Sequence, residues 1–345
     1  MRIALISYDF GEYCVRHTNA LADHGEVMLL VARDLAEPFE CLLDGRAHYR
    51  PFEKPRLRQP IQQLARVRQI VRQVSRFEPD VVHLQLGQLW FNFALPLLRR
   101  YPLVLTIHDP RHHLGDAGAR NTPQRILDFG YRRADQVIVH GKALKELVHR
   151  EIGVELARIH VVPHIALGLD SAPSEASASV GQGDEPPRLL FFGRLWEYKG
   201  LDYLIRAQPA ISERFPDARI VIAGRGEDFG RYRQAMRDPS FFEVYNRWVS
   251  HEERARLFEE ATVVVLPYVE ATQSGVVPIA YAHRKPVVAT LTGGLPDSVE
   301  HGVTGLLVPP RDEHALADAV CRLLADSGER RRMGEAGRRK LDVEC

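Results

Sequence analysis

Arg194 and Lys199 lie in the stretch LLFFGRLWEYKGLDYLIRA (189–207), on the loop between an apolar run, Leu189–Phe192, and a helical pattern that begins near Leu201. Arginine can fork onto two phosphate oxygens, and lysine adds a compact point charge. Gly193, closing the apolar run, lets the backbone turn closely there. A second stretch, VVVLPYVEATQSGVVPIAYAHRKPVVAT (263–290), reads as strand, polar loop, helix and strand. Its loop aims the amides of Ser274, Gly275 and Val276 out of a helix N-terminus, a favourable place for an anion. Two cations facing such amides make a diphosphate site. Glu270 is the acidic residue of that loop. In the first half, His108 closes the apolar run Leu103–His108, where ligands of open α/β sheets bind. His83, His140, His160 and His164 also sit at such runs and carry no assigned role. No Ser–His–Asp or Cys–His order points to a hydrolase. YDFGEY after the first run lacks the GxGxxG of nicotinamide enzymes.

The elements that hold these groups alternate along the chain. Strands are expected at Ile3–Ser7, Val27–Val31, Val81–Leu84, Leu103–His108, Gln136–His140 and His160–Pro163, with helices at 12–24, 60–77, 88–100, 122–133 and 142–151. The runs are continuously apolar rather than alternating, so the sheet is parallel and covered on both faces. On helix 60–77, Pro60 marks the start, and Leu64, Val67, Val71 and Val74 form its apolar stripe. Ser171–Pro187, SAPSEASASVGQGDEPP, reads as a linker between domain 1–170 and domain 188–327. The pattern then restarts with strand 188–193, helix 201–215, strand 219–224, helix 228–237, a strand near 244–249 and helix 251–261. Beyond residue 290 come GGLPD (293–297), strand 304–309, helix 312–325 and a charged tail, 328–345, that reads as helical. The fold class is therefore α/β: two Rossmann-like, doubly wound parallel-sheet domains facing across a cleft.

At 345 residues the chain exceeds one typical core, in keeping with two domains. Cys14, Cys41, Cys321 and Cys345 are far apart, without a CxxC pair, so neither a disulfide framework nor a zinc site is expected. The N-terminus MRIALISY has no signal-peptide pattern, and no apolar stretch reaches membrane-spanning length. The expected location is cytoplasmic. The net charge of +1 hides an asymmetry: residues 1–170 carry 23 Lys/Arg against 19 Asp/Glu, and the rest 23 against 26. Arg46–Arg76 holds nine basic residues and a single acid, Glu53. Arg68, Arg72 and Arg76 recur every four residues beside the apolar stripe, a pattern compatible with an anionic membrane surface at 46–76. Nucleic acid is not expected, because the stretch lacks aromatic interleaving.

FFGRLWEYKGLDYLIRA, VIAGRGED (221–228), LPYVEATQSGVVPIAYAHRKPVVAT, GGLPDSVEHGVTGLLVPP (293–310), VVHLQ (81–85) and LTIHDP (105–110) together resemble the retaining GT-B glycosyltransferases of family 4, in a variant with an ATQSGV loop. The resemblance implies transfer of a sugar from a nucleotide-diphosphate donor with its anomeric configuration retained. It implies donor binding in the second domain and acceptor binding in the first. Arg194 and Lys199 would hold the pyrophosphate, and His108 would reach the transferred sugar. Gly224 would let the nucleotide pass close to the backbone, the amides from Gln273 to Val276 would meet the donor, and Gly11 would face the phosphates. Neither a metal nor a resident cofactor is implied, the nucleotide sugar being a co-substrate. The acceptor would be a sugar, a lipid-linked group or a small molecule, as in making a surface polysaccharide, a glycolipid or a glycosylated metabolite. Two glutamates common in the family fall here on Ala271 and Ile279. A catalytically silent partner subunit and a sugar-nucleotide epimerase of the same fold stand as alternatives.

Overall fold

A computed structural model of the chain describes residues 1–85, 87–113, 122–165, 167 and 186–344. Residues 171–185 of the expected linker and Cys345 lie outside the described residues. One compact unit takes in Met1–His112 and Asp116–Ile165, the other His113–Gly115 and Ala166–Cys345.

The first unit runs β1 (Arg2–Ser7), α1 (Gly11–Ala22), β2 (Glu26–Ala32), α2 (Arg33–Ala36), β3 (His48–Phe52), α3 (Pro60–Phe77), β4 (Val81–Gln85), α4 (Leu89–Asn92), β5 (Leu103–Thr106), α5 (Gln124–Arg133), β6 (Gln136–Val139), α6 (Lys142–Ile152) and β7 (Ile159–Val161). Its seven described strands are parallel, in the order β3-β2-β1-β4-β5-β6-β7. Ile3–Ser7 and Val27–Ala32 are wholly buried, as strands covered on both faces must be. Strand β3 was not expected from the sequence. Its HYRPF is half-exposed, and Pro51 donates nothing to a ladder, which only an edge strand tolerates.

Two helical expectations change. The expected helix 88–100 is α4 followed by a separate 3-10 turn, Leu95–Leu98, because Pro96 cannot continue an α-helix. Helix α3 keeps its bounds but turns a different stripe inward: Gln63, Val67, Ile70, Val74 and Phe77 are buried, whereas Leu64 is 51% exposed. That spacing of four and three follows the 3.6-residue turn more closely than the stripe read from the sequence.

The second unit runs β8 (Arg188–Phe192), α7 (Leu201–Arg214), β9 (Arg219–Gly224), α8 (Gly230–Ala235), β10 (Phe242–Asn246), α9 (His251–Glu260), β11 (Val263–Leu266), α10 (Val276–Ala282), β12 (Val287–Thr290), α11 (Leu295–Ser298), β13 (Gly305–Val308), α12 (Glu313–Ala325) and α13 (Ser327–Glu344). The order of its parallel strands is β10-β9-β8-β11-β12-β13. Helix α13 packs on α10 and α12 of this unit; Gly334 lies against the Arg284 carbonyl, where a Cβ would come within 2.0 Å.

In each sheet the strand order reverses beside the first strand, between β1 and β4 and between β8 and β11. The loops leaving the carboxyl ends there diverge to opposite faces, which opens a crevice that ligands use. Arg194, Lys199 and the 267–275 loop fall at the reversal in the second unit.

Candidate functional site

In the second unit the two loops at the reversal are tied together. Val269 N–H donates to the Tyr198 carbonyl (2.8 Å), and Glu270 N–H to the same oxygen (3.3 Å). Thr290 Oγ1 donates to the Tyr268 carbonyl (2.6 Å). Lys199 Nζ stands 3.7 Å above the centre of the buried Tyr268 ring and 5.0 Å from that of Tyr198. Arg194 lies over Trp196 at 4.4 Å, is exposed, and has no ion-pair partner among the described residues. Ring faces attract cations without neutralising them, so both side chains keep their charge, and that of Arg194 is exposed to solvent. The Tyr268 hydroxyl meets Ser274 Oγ at 3.2 Å. Burial raises the phenol's pKa well beyond its ordinary 10, against the Ser274 hydrogen bond, so Tyr268 is a neutral hydroxyl.

Glycine makes this approach of loops geometrically available. Gly224 ends β9 with φ 147°, and a Cβ there would lie 1.8 Å from the Gly193 carbonyl oxygen. Gly193 itself has φ 123°. At Gly224 no side chain fits, and at Gly193 the backbone conformation disfavours one, which leaves bare backbone at the crevice.

The amides before α10 differ from expectation. Val276 N–H is occupied by Ser274 Oγ at 3.3 Å, so Ser274 and Gly275 carry the amides left open among the described residues. The helix is seven residues rather than three turns, ended where Arg284 takes φ 52° and Lys285 N–H returns to the Ala280 carbonyl. Gln273 Oε1 is buried without a partner among the described residues. The Glu270 side chain is 42% exposed. Ile279 is buried in the core of this unit, and Ala271 is half-buried against that core.

In the first unit His108 lies two residues beyond β5 and is fully buried. Its Nε2 meets Gln85 Oε1 at 3.0 Å, and Phe10 stacks on its ring at 4.0 Å. Gly11 packs against α2: a Cβ would lie 1.8 Å from the Leu35 carbonyl oxygen, which accounts for glycine there on packing grounds. Around His108 gather His140, 4.8 Å between ring centres, and His164 at 6.3 Å. Burial drives the His140 pKa from 6.5 to about 3 and that of His17 to about 4; His83 and His108 are also pushed well below 6.5 by burial. The cluster is thus a set of neutral imidazoles. Among the described residues no group of three or more His, Cys, Asp or Glu is placed to hold a metal.

The description "Glycosyl transferases group 1" matches residues 186–326, and "Glycosyltransferase Family 4" matches residues 11–165. The chain belongs to the GT-B glycosyltransferases of group 1, family 4. An uncharacterized glycosyltransferase of Methanocaldococcus jannaschii is 37% identical over 157 residues, 44% of this chain and 39% of that protein. D-inositol 3-phosphate glycosyltransferase of Kribbella flavida is 29% identical over 304 residues, 80% of this chain and 71% of that one. Among solved structures, sucrose-phosphate synthase of Thermosynechococcus elongatus superposes with a TM-score of 0.80 at 21% identity, covering 100% of this chain and 94% of that chain. HepE of Anabaena in complex with UDP-glucose gives 0.73 at 18%, covering 100% and 95%. These superpositions show that the glycosyltransferase has the two-domain α/β fold of the GT-B enzymes.

Sequence reasoning did not single out Tyr268, Tyr198, Trp196 or Gln85. The aromatics of WEYK and LPY beside the cations were the signal for the first three.

Proposed function

We propose that this glycosyltransferase moves a sugar from a nucleotide-diphosphate donor to an acceptor hydroxyl and keeps the donor's anomeric configuration. The observation that carries the reading is Lys199, held 3.7 Å above Tyr268, with Arg194 and the Ser274 loop at the strand-order reversal of the second unit. Arg194, Lys199 and the open amides of Ser274 and Gly275 hold the diphosphate. Bare backbone at Gly193 and Gly224 takes the nucleotide, while Gln273, Glu270 and the backbone at Val276 border the donor. The first unit takes the acceptor, and His108 contacts a hydroxyl of the transferred sugar. Retention follows a front-face route: the leaving phosphate oxygen accepts the acceptor's proton as the anomeric carbon exchanges one C–O bond for another. Glu270, part-exposed, is left as a polar contact and not a nucleophile.

The test is a melting series against UDP-, GDP-, ADP- and dTDP-sugars. A ligand that binds only the folded protein adds about 1.4 kcal/mol of stability at tenfold excess over its Kd. One of the four classes is expected to raise the melting temperature; no response to any sinks the proposal. Product formation that needs no acceptor identifies an epimerase instead, and binding without turnover a silent subunit.

On the acceptor side, Arg68, Arg72 and Arg76 form an exposed row on α3, continued by Ile61 (82% exposed) and Leu64, with Phe93 (62%) and Leu97 (65%) exposed in the segment after α4. We infer that this face rests on an anionic bilayer. No helix among the described residues is long and apolar enough to cross a membrane. Each surface arginine near anionic lipid contributes about 1 kcal/mol, so Arg68→Gln with Arg72→Gln should weaken co-sedimentation with phosphatidylserine vesicles roughly 30-fold. Equal sedimentation of variant and parent removes the membrane from the account.

A further inference from the structure

Gln85 ends β4, and the parallel register sets it opposite Thr106, two residues before His108. Its amide is used on both sides. Oε1 faces His108 Nε2 at 3.0 Å; Nε2 donates to His17 Nδ1 at 3.1 Å and approaches His83 Nε2 at 3.4 Å. An amide oxygen can only accept, so this arrangement places the His108 proton on Nε2 and leaves Nδ1 bare. Nδ1 is buried and has no partner among the described residues. The opposite amide orientation would leave a buried N–H at Nδ1 with no acceptor, and orphaned buried N–H groups are the rarer defect. His140 is fixed in a parallel way: Nδ1–H donates to the Val162 carbonyl at 2.9 Å, and Nε2 is bare, buried and unpartnered among the described residues.

We propose that Gln85 is a positioning residue: its amide holds His108 as the Nε2–H tautomer, so that the bare Nδ1, beside the bare Nε2 of His140, accepts hydroxyl protons of the bound sugar. The proposal rests on the sugar-transfer reading and deepens it. Two acceptor nitrogens on neutral rings whose centres lie 4.8 Å apart suit a polyol and reject a carboxylate or phosphate. Phe10 stacks on the His108 ring, and its backbone at φ 60° is a conformation that bulky residues rarely adopt. The titratable groups facing His108 are Asp109 beside it in the chain, Tyr13 and His17 from α1, His140 after β6 and His164 after β7; His83 acts through Gln85. Of these, Asp109 alone favours a charged imidazole, against burial and the two nearest histidines.

The experiment is side-chain ¹⁵N NMR of the full chain labelled at its histidine rings, with His108 assigned by loss of its signals in His108→Gln. In the parent protein Nδ1 is expected to resonate as an unprotonated nitrogen from pH 6 to 8. Gln85→Leu should show a mixture of tautomers. Gln85→Glu, with a buried carboxylate at Nε2, should show an imidazolium at pH 7. Turnover with the nucleotide sugar selected by the melting series should fall about tenfold in both, the scale of one lost hydrogen bond. In Gln85→Glu alone the loss should deepen as pH falls and recover as it rises. A protonated Nδ1 in the parent, or a parent-like tautomer in either variant, overturns the proposal, and so does unchanged turnover. Where a variant does not fold, the parent spectrum decides. A melting series without any response is a failure of the transfer reading and leaves the NMR result standing on its own.

Discussion

Arg194→Ala and Lys199→Ala are each expected to lower kcat by about 10²–10³, the size found when one donor to a developing charge is removed. As the glycosidic bond breaks, negative charge grows on the departing diphosphate, so a cation already in place stabilises the transition state more than the bound donor. Lys199 is in place: 3.7 Å from the Tyr268 ring centre, on a loop whose Tyr198 carbonyl is bonded to the neighbouring loop. Arg194, exposed over Trp196, keeps its charge without an ion-pair partner among the described residues. Neither side chain carries the core, so melting temperatures should stay near that of the parent. Lys199→Arg should recover little, because a planar fork cannot occupy the place of a compact ammonium over the ring. The double variant should lose less than the product of the single losses, since both act on one diphosphate. Single-turnover rates at saturating donor measure the effect. Parent-like rates in both single variants would take the two residues out of the site.

Much of this fold could be read from the sequence, for a physical reason. Strands buried on both faces have to be continuously apolar, so Ile3–Ser7, Val27–Val31 and Val263–Leu266 stand out even without neighbours in view. Strand β3 was hidden because an edge strand needs only one protected flank and tolerates Pro51. The cations were legible because a loop after an apolar run is a local feature. The aromatic faces under them were harder to see: whether Tyr268 packs as core or as a floor for Lys199 depends on how two loops 70 residues apart in the chain are joined. The histidine network is less local still. His83 and Gln85 on β4, His108 after β5 and His140 after β6 come together only through strand register. A polar residue closing each of three successive apolar runs was the trace they left in the sequence.

Those imidazoles set the largest expected dependence of stability on pH. His140 has a folded pKa of about 3 and His17 of about 4, against 6.5 when exposed, chiefly because burial disfavours the charged ring. Below pH 6.5 the unfolded chain therefore binds protons that the folded unit refuses. The stabilisation is fully present above pH 6.5 and is lost as pH falls towards the folded values. Between pH 6.5 and pH 5 one such group loses about 2 kcal/mol, from 1.36 kcal/mol per pH unit. His140, only 6% exposed, should approach that figure; His17 is more accessible and should fall short of it. The two together make a loss of about 3–4 kcal/mol, and His83 and His108 shift in the same direction. Hydrogen exchange at the amides of β4, β5 and β6, compared at pH 7 and pH 5 after correction for the intrinsic rate, measures the change within the first unit. His140→Gln should remove up to about 2 kcal/mol of the difference. Equal protection at the two pH values would mean that these rings take up protons as readily in the folded protein as in the unfolded chain, and burial would then not hold them neutral.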